Sequence, residues 1–195
     1  MEPHVRYEDE RWERRDLAQT EAEAVELRDS ELDRVDLTGS RLPRWSLRDT
    51  VLRECSLANV EAPYAEWRAV ELHGCRLTGF DLRDAHGREV LFADCRADLM
   101  SLRSARLEGA VFRDCVMTGA DLSGADLRGA RFERCDLGEA ELRDARLDGA
   151  TFDACRLAHV RGALRLRGTR MRWEDVVELA GAFAGELGIT LIEEG

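Results

Sequence analysis

The chain contains no lysine. All 29 of its basic residues are arginines, set against 40 aspartates and glutamates, for a formal net charge of −11 over 195 residues. That balance argues against direct nucleic-acid binding, which usually needs a basic footprint. No run of about 18 apolar residues is present to span a membrane. The opening MEPHVRYEDERWERRD lacks the apolar core of a secretory signal. A soluble, cytoplasmic chain without a membrane partner is the expectation. The sequence has no glycine-rich phosphate loop, no nucleophile elbow and no metal-spaced Cys/His group. Acid pairs recur so uniformly that none marks acid–base catalysis. We therefore expect no enzyme, no cofactor and no catalytic or metal site.

What the chain does have is a period. From Trp12 to Leu157, the thirty positions taken at five-residue steps hold nineteen Leu, four Phe, two Trp and one Met. Only Ala22, Ala62, Gly87 and Ala97 depart. The residue two before each of these centres is mostly small, as Ala120, Ala125 and Ala130 are in ADLSGADLRGA. Period five fits neither a helix of 3.6 residues per turn nor a strand alternating every two. It asks for units that each point two side chains inward and then turn a corner. Four units close a coil of twenty residues, and coils stack by parallel β hydrogen bonds at roughly 4.8 Å. About seven coils give a rod of roughly 35 Å.

Cysteine obeys the longer period and occurs nowhere off it: Cys55, Cys75, Cys95, Cys115, Cys135 and Cys155. These positions stack on one face, beside the centres Phe92, Phe112, Phe132 and Phe152 of the preceding face. A straight ladder does not converge on zinc as tetrahedral ligands do. Parallel side chains keep Cβ atoms further apart than a disulfide prefers. The residues favour the plain reading of a small buried hydrophobe that fills a corner. Phe80 and Met100 are oversized at the small position. Ala62 and Ala97 are undersized centres nearby, so we read volume compensation.

After Leu157 the register slips, and nine residues separate Leu157 from Leu166. Trp173, Val176, Val177, Ala180, Phe183, Ala184 and Leu187 then recur at three- and four-residue steps. This predicts one amphipathic helix ended by Gly188, with Ile189 to Ile192 as a short strand. A solenoid end exposes apolar side chains and unpaired backbone, so the helix is expected to cap the rod or pair with a partner's helix. The expected organisation is an N-terminal segment 1–11, repeats over 12–172 and a cap or dimerisation segment over 173–195.

The A(D/N)LXX pattern over residues 12 to 157 resembles the pentapeptide-repeat family. The resemblance implies a right-handed quadrilateral parallel β-helix, an all-β solenoid, with a C-terminal α-helical cap. The helical tail after LRGTRM is similar to that of the MfpA type, one of the quinolone-resistance members (the MfpA and Qnr types). Those members are acidic rods that engage DNA gyrase and topoisomerase IV in place of DNA, and the MfpA type dimerises through its tail. For this chain the resemblance implies a protein partner of that kind and a homodimer. The dimer or cap interface would be Trp173, Val176, Val177, Ala180, Phe183 and Leu187.

On the surface, the position before each centre of one face reads Glu61, Asp81, Ser101, Asp121, Glu141. This stripe, with Asp126, is the candidate DNA mimic. The adjacent face reads Arg28, Arg48, Arg68, Arg88, Glu108, Arg128, so the rod carries stripes of both signs. The alternative is a rigid scaffold or adaptor that binds another protein, with its acidity serving solubility.

Overall fold

The computed structural model describes residues 5–190 and Ile192. The chain winds into a parallel β-solenoid of about eight turns, with a short helical segment at its C-terminal end. Strands twenty residues apart pair in parallel, Leu47↔Trp67↔Gly87 being one set of partners. The five-residue centres fill the interior in one continuous cluster, from Trp12 to Leu166.

The winding begins earlier than the repeat centres suggest. Strand β1 (Arg6–Glu8) pairs with β3 (Glu26–Arg28), and β2 (Arg11–Glu13) with β4 (Glu31–Asp33). Tyr7 stands at a centre position and meets Trp12 edge-on at 5.2 Å. Residues set aside as an N-terminal segment thus include the first strand, and the turns number about eight rather than seven.

Each corner lies two residues after a centre and uses the left-handed backbone region. Glycine takes it without strain, as at Gly129 (φ 67°) and Gly149 (φ 71°). Asp, Asn, Glu and Arg fill most of the others, with Leu99 (φ 57°) the bulkiest apolar case.

The residue after the corner distinguishes two corner types. Where it is Ala125, Ala130 or Ala145, its N–H donates back to the carbonyl of the preceding centre, 3.0 Å away in each case. None of the six cysteine corners has that bond. There the thiol donates instead to the carbonyl two residues back and to one in the coil below. Cys115 Sγ reaches Arg113 O at 3.2 Å and Phe92 O at 3.5 Å. Thr50 and Ser30 do the same with hydroxyls, to Arg48 O at 2.7 Å and Arg28 O at 2.6 Å. At Thr50, Val70 and Val90 parallel pairing continues across the corner, so β5 (Ser46–Arg53), β6 (Glu66–His73) and β7 (His86–Ala93) are eight residues long although Asp49, Ala69 and Glu89 keep the left-handed turn. Above them, β8 (Val111–Arg113), β9 (Arg131–Glu133) and β10 (Thr151–Asp153) are three residues long, and Ala follows the equivalent corner.

Phe92, Phe112, Phe132 and Phe152 stack with centroids 4.7–4.9 Å apart and planes within 5°. Phe80 and Met100 are wholly buried, as are Ala62 and Ala97 at 2% exposure or less. A further size match lies elsewhere. Trp67 shares its face with Gly87 one coil on, and a Cβ on Gly87 would sit 2.6 Å from Leu107 Cδ2.

The final coil is one residue short: strand β11 (Arg170–Met171) pairs Met171 with Phe152, nineteen residues back. A 3-10 turn, Ala163–Leu166, precedes it. The expected single helix is two short ones, α1 (Trp173–Glu178) and α2 (Ala180–Glu186), joined at the fully buried Leu179. Gly188 follows α2 with φ 71°. The expected C-terminal strand does not form at Ile189, Thr190 or Ile192; Leu191 lies outside the described residues.

Candidate binding surfaces

The acidic stripe is a true column. Isolated parallel bridges join Glu61 to Asp81, Ser101, Asp121 and Glu141 in turn. Its carboxylates, however, are already engaged. Asp81 Oδ1 accepts the backbone N–H of Arg83 at 3.0 Å, and Asp121 Oδ1 that of Ser123 at 2.9 Å. Glu141 does the same for Arg143 at 3.1 Å. These are Asx-type turns, in which a side-chain oxygen satisfies a backbone donor two residues on. Arginines complete the set: Arg41 on Glu61 (3.9 Å), Arg83 on Asp81 (2.9 Å), Arg103 on Asp121 (3.5 Å) and Arg161 on Glu141 (3.1 Å).

Asp126 corrects one expectation outright. It does not face outward but is 7% exposed. Its oxygens hold Arg128 at 2.7 Å and Arg146 at 3.2 Å. The Arg128 hydrogen bond holds its carboxyl below the usual carboxylate range, against the opposing effect of burial. Sequence reasoning took the aspartate of the ADL unit as surface charge and missed its backbone-capping role. The signal was there, since an acid recurs two residues before the turn that needs an acceptor.

The arginine row behaves differently. Register stacks Arg28, Arg48, Arg68 and Arg88 on neighbouring strands. Arg28 is paired with Glu26 at 2.5 Å, and Arg48 reaches the same carboxylate at 4.0 Å.

The cysteines are all free thiols and no more than 2% exposed. Hydrogen bonding to Cys115, opposed by Cys155 and reinforced by burial, pushes the Cys135 thiol up to about 12. The neighbouring thiols of Cys55 and Cys95, together with burial, also push Cys75 up. Along the same ladder Cys95 is held low by hydrogen bonding from Cys115 and Cys75, so the shifts differ in direction, and it is burial that keeps the thiols from reactants in solvent. Among the described residues, no three His, Cys, Asp or Glu side chains group as metal ligands would. No described helix is long and apolar enough to cross a membrane.

At the C-terminal end, Leu179 and Ala184 are buried, and Ala182 and Phe183 pack partly on the core. The Glu186 carboxylate accepts the backbone N–H groups of Ala163 (2.5 Å) and Leu164 (3.1 Å), clasping α2 to the 3-10 turn. Of the six residues expected to form the cap or dimer face, Val176 and Phe183 are half-buried. Ala180 is exposed, as are Trp173 (75%), Val177 (54%) and Leu187 (63%). They do not form one buried stripe: Leu179 and Ala184 take the buried positions instead.

With this geometry in view, family comparison is decisive. The pentapeptide repeat region model matches residues 65–142, and the pentapeptide repeats (8 copies) model matches residues 17–61 and 125–161. The chain belongs to the pentapeptide-repeat family. Its fold is therefore the family's right-handed quadrilateral β-helix. Among solved structures, it is similar to trypsin-treated QnrB1 (R167E), a plasmid-mediated fluoroquinolone resistance protein. Identity is 18%, coverage 97% of this chain and 98% of that one, and TM-score 0.43. It is also similar to HetL of the cyanobacterium Nostoc sp. strain PCC 7120, a pentapeptide-repeat protein involved in heterocyst differentiation regulation. There identity is 19%, coverage 86% and 87%, and TM-score 0.37. A third likeness is a pentapeptide-repeat protein of the Arabidopsis thaliana thylakoid lumen, 20% identical over 54% of this chain and 68% of that one, TM-score 0.35. No curated protein matches the chain in sequence. These pentapeptide-repeat relatives have differing roles, so they do not single out one for this chain.

Proposed function

We propose that this protein is a non-enzymatic, cytoplasmic binding rod that occupies the DNA path of a type II topoisomerase as a DNA mimic. DNA gyrase or topoisomerase IV would be the partner, and the consequence a changed response to poisons such as fluoroquinolones. The observation that carries this reading is the in-register column Glu61, Asp81, Ser101, Asp121, Glu141 on a straight rod of net charge −11. Carboxylates at a fixed rise of roughly 4.8 Å offer a basic channel a regular line of negative charge. Long-range attraction would steer the encounter. The division at residue 173 belongs to the same proposal. Residues 173–195 act as cap and as a homodimer contact, supported by the exposed Trp173, Val177 and Leu187.

A second reading, a rigid scaffold for another protein, has its own support. Each acid of the column is matched by an arginine within 4.0 Å, which shortens the reach of its field. A supercoiling assay with purified gyrase, with and without a fluoroquinolone, separates the two. The mimic inhibits supercoiling or protects the enzyme at micromolar protein, and the scaffold does neither. The informative variant is Asp81→Asn with Asp121→Asn. Asparagine keeps the oxygen that caps the backbone but removes the charge, so the effect on gyrase should fall while the melting temperature holds. Light scattering over a concentration series tests the dimer, and monomer throughout would remove that part.

A further inference from the structure

Arginine is normally paired in this molecule, commonly with an acid one coil away. Glu108–Arg128 (2.6 Å), Asp114–Arg134 (2.7 Å) and Asp136–Arg156 (3.1 Å) are examples. Arg15, Arg76, Arg167 and Arg170 lack an ion pair within 4.0 Å among the described residues, and one groove gathers three more such arginines. Arg68 and Arg88 are direct register partners on β6 and β7 and therefore stack like on like. Neither has a carboxylate within 4.0 Å among the described residues, and the same holds for the neighbouring Arg106. Together with Arg48 and His86 they line a surface groove of about 820 Å³. Trp67 and Gly87, on β6 and β7, also line it.

Stacked guanidinium groups at one-coil spacing repel each other, and no carboxylate among the described residues forms an ion pair with them. The planar fork of arginine matches phosphate oxygens bidentately. The groove's volume falls in the range of small-molecule sites, about 300–1,000 Å³. Its acids limit the size of ligand. Glu66 and Glu89 also line it, and Glu108 is taken up by Arg128. The positive stretch is thus only a few rungs long, on a chain whose net charge of −11 repels extended polyanions.

We propose that this groove binds a compact polyphosphate anion, with two or more phosphate groups bridging Arg68, Arg88 and Arg106. The shared chemistry is a short phosphate chain, either free or carried by a nucleotide.

Isothermal titration of the full chain at low salt, without divalent cations, tests this with three probes: inorganic phosphate, pyrophosphate and ATP. Pyrophosphate should bind saturably at one site and far more tightly than phosphate. Arg68→Gln with Arg88→Gln should weaken it by about tenfold or more. Arg156→Gln, on another face, should leave it unchanged. ATP binding much more tightly than pyrophosphate would identify the nucleotide-borne form, and equal affinity the free anion. The proposal fails if pyrophosphate and ATP give no saturable heat. It also fails if the double variant binds as the parent does, or if Arg156→Gln loses as much. Heparin binding through the same arginines as tightly as pyrophosphate would overturn the compact class. Both arginines are exposed, so the variants should fold, and an unchanged melting temperature without ligand checks it.

Discussion

The coils around residues 45–110 and those from 111 to 157 share one backbone plan but solve it differently. The later coils are uniform. Phenylalanines stack in parallel, alanine closes the corners, and arginine and acid alternate between coils. The earlier coils hold Trp45, Trp67, Phe80 and Gly87 in the interior, run strands through a corner, and stack arginine on arginine. Regular repetition makes a stiff rod with its surface charges mutually satisfied. Departures from it leave charge unspent and a groove open, which is where ligand chemistry gains a foothold.

The largest expected effect tests the uniform half. Phe132→Ala removes the middle of a ring stack with neighbours at 4.9 and 4.7 Å, in a site that is fully buried. Urea unfolding should show a loss of about 3–5 kcal/mol. A much smaller loss would mean that the stack relaxes, and that the regular coils are less rigid than their geometry implies.

The counterpart in the irregular half is Gly87→Ala. Its added Cβ would lie 2.6 Å from Leu107 Cδ2 and 2.9 Å from Val90 Cγ2. Overpacking should cost about 1–3 kcal/mol. If the variant is as stable as the parent, the interior near Trp67 has slack, and the size match between Trp67 and Gly87 is not a constraint.

How much of this was legible follows the same divide. The repeat register made the leucine and phenylalanine centres readable because every coil repeats one environment. Gly87 stood out as a departure, but only pairing with Trp67 across a coil explains it. Asp126 looked like surface charge because its partners, Arg128 and Arg146, come from its own unit and the next coil. The tail was misread for another reason. Its apolar spacing fits one helix, but AGAFAG holds two glycines, which weaken a helix interior. Leu179, between the two short helices, is fully buried. Periodicity reports what a segment would do alone, and here docking decided.

A smaller effect concerns charge. The Asp126 carboxyl lies below its ordinary range when folded, chiefly through Arg128. A depressed carboxyl stabilises the fold above its unfolded value and loses that contribution as pH falls through its folded value. Asp126→Asn should therefore cost about 1–2 kcal/mol at pH 7, and the gap from the parent should close below about pH 4. A gap that stays constant with pH would show that Asp126 acts through shape rather than charge.

The smallest effect distinguishes the two corner types. Cys115 sits at a corner without the closing backbone bond, and its thiol donates weakly to Arg113 O and Phe92 O. Arg113 O already accepts the Asp94 N–H at 3.0 Å, so losing the thiol leaves that carbonyl satisfied. Cys115→Ala should thus cost less than about 1 kcal/mol in urea unfolding, well under the cavity left at Phe132. Thr50 shows that a hydroxyl serves an open corner of the same geometry. Cys115→Thr should accordingly fall within about 0.5 kcal/mol of the parent. A loss above about 2 kcal/mol in either variant would mean that the thiol does more than fill space and satisfy a corner. If both variants are mild, the cysteine ladder marks the corners that stay open in every coil from Cys55 to Cys155, and any small side chain able to face a carbonyl there will serve.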